Sequence, residues 1–215
     1  MTRDGLEVVL FDLDGVLADS RGPIARCMNA ALSACGFGAV PEERLHGYIG
    51  PSLSFGFADL LRVDPQDPVV ARLVAAYREH YVDGGLRETR PFDGIADALA
   101  AVGEGRRLGV ATSKPRAYAE PLIELLGLRP HFEAIFAPGL AVHVESKTET
   151  VGAAVRHFGE RAAAMVGDRH VDMAAARAHG LRAVGVTWGI GTAEELRDAG
   201  ADVLVSTPAE LPAAL

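Results

Sequence analysis

The 215-residue sequence predicts an α/β fold: a parallel sheet covered by helices on both faces, with a separate helical segment inserted into it. Three observations predict it. Short apolar runs ending in Gly, Asp, Thr or Ser alternate with longer segments of helical period. The first two of these runs lie roughly ninety residues apart, far more than one crossover helix requires. Within that gap, apolar residues recur at three- and four-residue spacing.

The elements follow in order. EVVLFD reads as the first strand. PIARCMNAALSACGFG and PVVARLVAAYREHYVDGG then read as two helices, each closed by Gly as a helix stop. The turn-forming residues Arg90-Pro91-Phe92-Asp93-Gly94 mark the return to the sheet. RLGVATS, EAIFA, AAMVGD, RAVGVT and ADVLV supply the remaining strands. This predicts a sheet domain over residues 1–15 and 89–215 and a helical insertion over 16–88.

Composition narrows the function. With 49% hydrophobic residues the chain can bury a sizeable core. A net charge of -8 and a pI near 5.4 give no basic footprint for a nucleic acid polymer or an anionic membrane, so a small molecule is the expected partner. The opening residues run straight into a strand, and no apolar run approaches the length of about 18 residues that a membrane span needs, which leads to the expectation of a cytoplasmic enzyme. Cys27 and Cys35 are expected to be reduced.

Chemistry-bearing residues cluster at the ends of the strand-like runs. FDLDGVLADS puts Asp12 and Asp14 at the carboxyl end of the first strand, with Gly15 permitting a sharp turn. Strand alternation sends both side chains to one side, and carboxylates so close repel each other unless a cation or a shared catalytic task requires them. ATSKP sets Thr112, Ser113 and Lys114 after the second strand, where hydroxyl and backbone donors can bind phosphate oxygens. Lys147 lies ahead of the amphipathic stretch TVGAAVRHF; it either neutralises a phosphoryl group and Asp12 or is an exposed lysine, with Lys114 as rival for the task. MVGDRHVDM sets Asp168 and Asp172 four apart after another buried-type strand, so both can sit at one mouth and complete a site for a hard cation such as Mg2+. His143 and His170 read as unliganded histidines, and Trp188 with Tyr118 does not make a base-stacking platform.

The series DxDGVLxDS, ATSKP, Lys147 and GDRHVD resembles, in order and across nearly the whole chain, the four signatures of the haloacid dehalogenase superfamily. The resemblance implies a Rossmann-like sheet core with an inserted α-helical cap domain. It implies a Mg2+-dependent phosphatase in which Asp12 attacks phosphorus and Asp14 protonates the leaving alcohol, then activates water. Thr112 and Lys147 would join them as catalytic groups, with Ser113 and Lys114 binding substrate. The cation would be held by the Asp12 carboxylate, the backbone carbonyl of Asp14 and the Asp168 carboxylate, with Asp172 behind them or paired with a lysine. Carbon–halogen hydrolases of the superfamily lack the second acid, so Asp14 disfavours dehalogenation.

HGYIGPSLSFGFADLL, RPFDGI and VTWGIGTAEELRDAGAD are further similar to the phosphoglycolate phosphatase and 5'-nucleotidase-like branch. There the loop matching Ile49-Gly50-Pro51-Ser52 would close over the core and inspect the leaving group; a plain helix connection is the other reading. Arg44, His46 and Tyr48 are candidate specificity contacts. Ser52 in place of a second proline, AAARAHG, and GLAVHVES before Lys147 depart from the branch pattern and leave the substrate open among phosphoglycolate, nucleoside monophosphates and sugar phosphates. A phosphomutase and a non-enzymatic phosphate-binding domain of the same fold are the alternatives.

Overall fold

The computed structural model describes residues 6–50, 52–140, 146–159 and 163–215. The chain divides into two compact units, one of residues 1–19 with 90–215 and the other Ser20–Thr89.

The second unit is helical. It contains α1 (Arg21–Ala34), α2 (Glu42–His46), α3 (Leu53–Leu61), α4 (Pro68–His80) and α5 (Leu86–Glu88). Its starts are chemically marked: Ser52 Oγ accepts from Phe55 N at 3.3 Å, and Asp67 Oδ1 accepts from Val69 N at 2.9 Å ahead of Pro68 in the first turn. Met28, Leu32, Leu45, Phe57 and Leu73 are fully buried between these helices. The expectation that Gly84-Gly85 stops the long helix is corrected here. The chain continues through a π-helical turn, Tyr81–Gly85, into α5. A Cβ on Gly85 would lie 2.7 Å from Cys27 Sγ and 2.8 Å from Tyr81 Cδ2, so this glycine allows close packing against α1 rather than ending a helix.

The first unit is built on a six-stranded parallel sheet. Its strands are β1 (Val8–Phe11), then β4 (Arg107–Ala111), β5 (Ala134–Phe136), β6 (Ala163–Gly167), β7 (Arg182–Val186) and β8 (Val203–Val205), in the order β5-β4-β1-β6-β7-β8. Two further residue pairs, β2 (Ala18–Asp19) and β3 (Arg90–Pro91), form a short antiparallel ladder in which Asp19 faces Arg90. Because β2 and β3 belong to this unit, its boundaries fall at 19/20 and 89/90, against 15/16 and 88/89 from the sequence.

The helices of this unit are α6 (Ile95–Val102), α7 (Arg116–Leu125), α8 (Lys147–Phe158), α9 (His170–Ala178), α10 (Ala193–Asp198) and α11 (Leu211–Ala214). Val8 and Leu10 point to one face, where they pack with Met165 and Ala183 of the sheet, Val151 and Phe158 of α8, Met173 of α9 and Leu196 of α10. Phe11 serves the other face, meeting Phe132 edge to face at 6.1 Å between ring centroids. Each large aliphatic or aromatic side chain buried in this way stabilises the fold by roughly 1.5–3 kcal/mol. Since β4, β1, β6 and β7 are successive neighbours, the loops after all four leave the sheet side by side at its carboxyl edge.

Candidate active site

The loop after β1 turns tightly. Leu13 O accepts from Leu17 N and Ala18 N, both at 3.0 Å, and Gly15 adopts φ 84°, a left-handed conformation natural to glycine. A Cβ at Gly15 would also overlap Asp168 Oδ2. The turn therefore lets the loops after β1 and β6 approach to backbone distance.

Asp12 follows β1 directly, its N–H bonded to Val166 O at 2.9 Å, and its side chain is buried. Lys147 is the first residue of α8, whose start a capping box sets: Ser146 Oγ accepts from Glu149 N at 3.2 Å and Glu149 Oε2 accepts from Ser146 N at 2.7 Å. From there the buried Lys147 Nζ reaches Asp12 Oδ1 at 2.7 Å and Asp172 Oδ1 at 2.9 Å. One ammonium is thus shared between two buried carboxylates.

Asp168, after β6, is fully buried. Its Oδ2 accepts from Ile190 N at 2.7 Å and its carbonyl accepts from Gly191 N at 3.1 Å, while among the described residues its Oδ1 has no hydrogen-bond partner. Asp172, also fully buried, accepts through Oδ2 from Asp168 N at 3.1 Å and Arg169 N at 3.0 Å. Oxygens of Asp12, Asp168 and Asp172 all lie within 4.8 Å of one another.

Electrostatics follow from this crowding. Burial, with the neighbouring Asp172 charge, pushes Asp12 up to about 6 despite Lys147. Burial, then Asp172 and Asp12, hold Asp168 well above the usual carboxylate range. Burial alone would lower Lys147, but Asp12 and Asp172 outweigh it and push the ammonium up to about 12. Three carboxylates thus face one ammonium, an excess of negative charge in a dry place. An oxygen-seeking divalent cation fits this donor set: it would satisfy the bare Asp168 Oδ1 and relieve the repulsion.

Asp14 belongs to a different pair. Lys114 Nζ donates to its Oδ2 at 2.8 Å and its Oδ1 at 3.0 Å. The two acids read together from DxD are thus held by two different lysines, which resolves their repulsion without bringing both carboxylates into one cluster. Thr112, buried after β4, accepts through Oγ1 from Lys114 N at 3.2 Å, and Ser113 beside it is half-buried. Gly50 lies in the helical unit with φ 111°. In that unit Tyr48 Oη donates to Asp59 Oδ2 at 3.1 Å. Pro51 and His143 fall outside the described residues. His170 turns to Glu195, with Nδ1 2.9 Å from Oε1, and Trp188 Nε1 donates to Val16 O at 3.2 Å.

The loop after β7 is the part that sequence reasoning missed. Ile190 supplies a backbone donor to Asp168, and a Cβ on either Gly189 or Gly191 would overlap Asp168 atoms. The signal was the Gly-Ile-Gly two residues beyond an apolar strand, a sign of close backbone approach.

Comparison with known proteins agrees with this architecture. The family model described as haloacid dehalogenase-like hydrolase matches residues 9–186. A 5'-nucleotidase of Pseudomonas aeruginosa is 36% identical over 197 residues, covering 88% of this chain and 86% of that protein. A plasmid-encoded phosphoglycolate phosphatase of Cupriavidus necator is 34% identical over 213 residues, covering 96% and 92%. The crystal structure of a predicted phosphatase from Clostridium acetobutylicum matches with a TM-score of 0.90 at 30% identity, over 97% of each chain. With this sheet order, this strand-end cluster and these relatives, the chain belongs to the haloacid dehalogenase-like hydrolase family, as an enzyme of its phosphatase group.

Proposed function

We propose that the protein is a Mg2+-dependent phosphatase that hydrolyses a small-molecule phosphate monoester through an aspartyl-phosphate on Asp12. One observation carries the reading: a buried carboxylate at the end of the central strand lies against a buried lysine and beside an acid, one of whose oxygens has no hydrogen-bond partner among the described residues. Phosphate-monoester hydrolysis is among the slowest uncatalysed reactions, needing acceleration towards about 10²¹-fold, so charge neutralisation at a dry site is the central requirement.

In this reading Asp12, the Asp14 carbonyl and Asp168 hold Mg2+, which when bound would offset negative charge on the phosphoryl oxygens. Asp12 attacks phosphorus in line; the P–O bond to the leaving group breaks, and Asp14 gives that oxygen its proton. Asp14 then takes a proton from water, whose oxygen attacks phosphorus and breaks the bond to Asp12, releasing inorganic phosphate. Lys147 balances charge on Asp12 and the transferring group, while Thr112, Ser113 and Lys114 bind phosphate oxygens. Asp172 holds Lys147 and the backbone at Asp168.

The helical unit is assigned the part of a cap, with Gly50 in the segment that inspects the leaving group. The relatives named for 5'-nucleotides and phosphoglycolate support those two substrate classes, with sugar phosphates third. The net charge of -8 and the absence of a disulfide at Cys27 and Cys35 accord with a small substrate in a reducing cytoplasm. The test is phosphate release from a panel of these esters with and without Mg2+. Turnover of one class that stops with chelator is expected; negligible turnover of all of them counts against the reading. Transfer of phosphate to a second sugar position without net release would favour a mutase.

A further inference from the structure

Glu195 lies outside the proposed chemistry, yet it gathers the chain that leaves Asp168. Its Oε1 accepts from His170 N at 2.9 Å and from Arg169 Nε at 3.0 Å, and lies 2.9 Å from His170 Nδ1. All three groups belong to the two residues that follow Asp168. Glu195 is itself placed by its helix, whose cap Thr192 accepts through Oγ1 from Glu195 N at 3.1 Å. Just before that cap, Gly191 N donates to the Asp168 carbonyl and Ile190 N to Asp168 Oδ2. Residues 190–195 therefore grip Asp168 twice directly, and a third time through the carboxylate of Glu195.

We infer that Glu195 is a positioning residue for the cation site, holding the start of α9 so that the bare Asp168 Oδ1 stays within reach of the Asp12 and Asp172 oxygens. This rests on the reading of Asp12 and Asp168 as cation ligands. The physical reason is geometric: Mg2+ demands near-ideal octahedral coordination at about 2.0–2.1 Å, so a ligand oxygen free to wander by a few tenths of an ångström binds it poorly. An aspartate has few torsions, and fixing its carbonyl, its Oδ2 and the two residues after it leaves Oδ1 essentially one place. Outer partners of this kind characteristically carry roughly 10- to 100-fold of metal affinity.

The test is Mg2+ binding to the whole purified protein by calorimetry, with Mn2+ electron paramagnetic resonance as a second reading. Glu195→Ala and Glu195→Gln would be compared with wild type and with Glu133→Gln, which alters the exposed pairings of Glu133 with Arg107 and His157. The expected result is a Kd for Mg2+ raised roughly 10- to 100-fold in Glu195→Ala and less in Glu195→Gln, which keeps an acceptor oxygen. The Mg2+ concentration giving half-maximal phosphate release should shift by the same factor, with kcat recovering at saturating Mg2+, while Glu133→Gln matches wild type.

A Kd within about twofold of wild type in folded Glu195→Ala, or a fall in kcat that saturating Mg2+ does not recover, overturns the inference. If Glu195→Ala does not fold, Glu195→Gln decides by the same criterion. Wild-type protein that binds no Mg2+ removes the cation reading and this inference together; a binding wild type with unaltered Glu195 variants removes this inference alone.

Discussion

Lys147 Nζ lies 2.7 Å from Asp12 Oδ1, and this contact places the sole ammonium reaching the Asp12–Asp168–Asp172 group, among the described ion pairs, against the proposed nucleophile. Replacing it with methionine leaves buried carboxylates facing one another. Lys147→Met is expected to destabilise the metal-free protein by about 3–5 kcal/mol, with part of the loss restored by millimolar Mg2+. Urea unfolding with and without Mg2+ checks this; an unchanged midpoint without Mg2+ would contradict it.

Asp12→Asn should fold and still bind Mg2+ or substrate weakly, yet lose essentially all turnover, because an amide cannot form the phosphoenzyme. Single-turnover phosphate release measures it. Turnover near wild type in this variant would remove Asp12 from the nucleophile's role.

Gly15→Ala forces a side chain into a left-handed conformation, at a cost of about 1–2 kcal/mol, and drives its Cβ into Asp168. Weaker Mg2+ binding and lower activity should accompany a lower Tm. By contrast Gly36→Ala, also at positive φ but with nothing near its Cβ, should show the backbone cost without the loss of activity.

Glu195 gives a pH signature. Burial opposes its charge, but hydrogen bonds from His170 and the Arg169 guanidinium outweigh that and hold it down at about 2, against an ordinary value of 4.5. An acid depressed on folding contributes stability that is present above its unfolded value and is lost as pH falls through the folded one. That contribution is present at neutral pH and disappears between pH 4.5 and 2. The stability gap between wild type and Glu195→Gln should therefore be full at pH 6 and narrow steadily below pH 4.5. A gap constant down to pH 2.5 would refute the assignment.

The sheet was legible because fully buried parallel strands are written as uninterrupted apolar runs, as VVLF and AAMVG are, ending where a polar residue or Gly meets the sheet edge. The insertion was less so. Helices α1 and α4 carry a clear period, whereas five-residue α2 is too short to show one, and Gly85 answers to packing rather than to helix termination. At the candidate site, Asp12 and Asp168 stand out because charge at the end of an apolar run is conspicuous, whereas Lys147 is singled out only by its place in the series of signatures. Lys114 and Asp14 could be named but not paired, since their contact joins positions 100 residues apart. Ile190 and Glu195 were silent for a related reason: one acts through its backbone, and the other looks like any acid in the first turn of a helix.

The ladder between β2 and β3 reaches further than its length suggests. Since Asp19 and Arg90 stand opposite each other, the chain departs from and rejoins the sheet unit at one spot. A tight hairpin turn could bridge that gap without disturbing a single strand of the sheet. The intervening helices are thus a detachable module in the topological sense: gene rearrangement could swap, trim or enlarge them while the sheet scaffold keeps its threading intact.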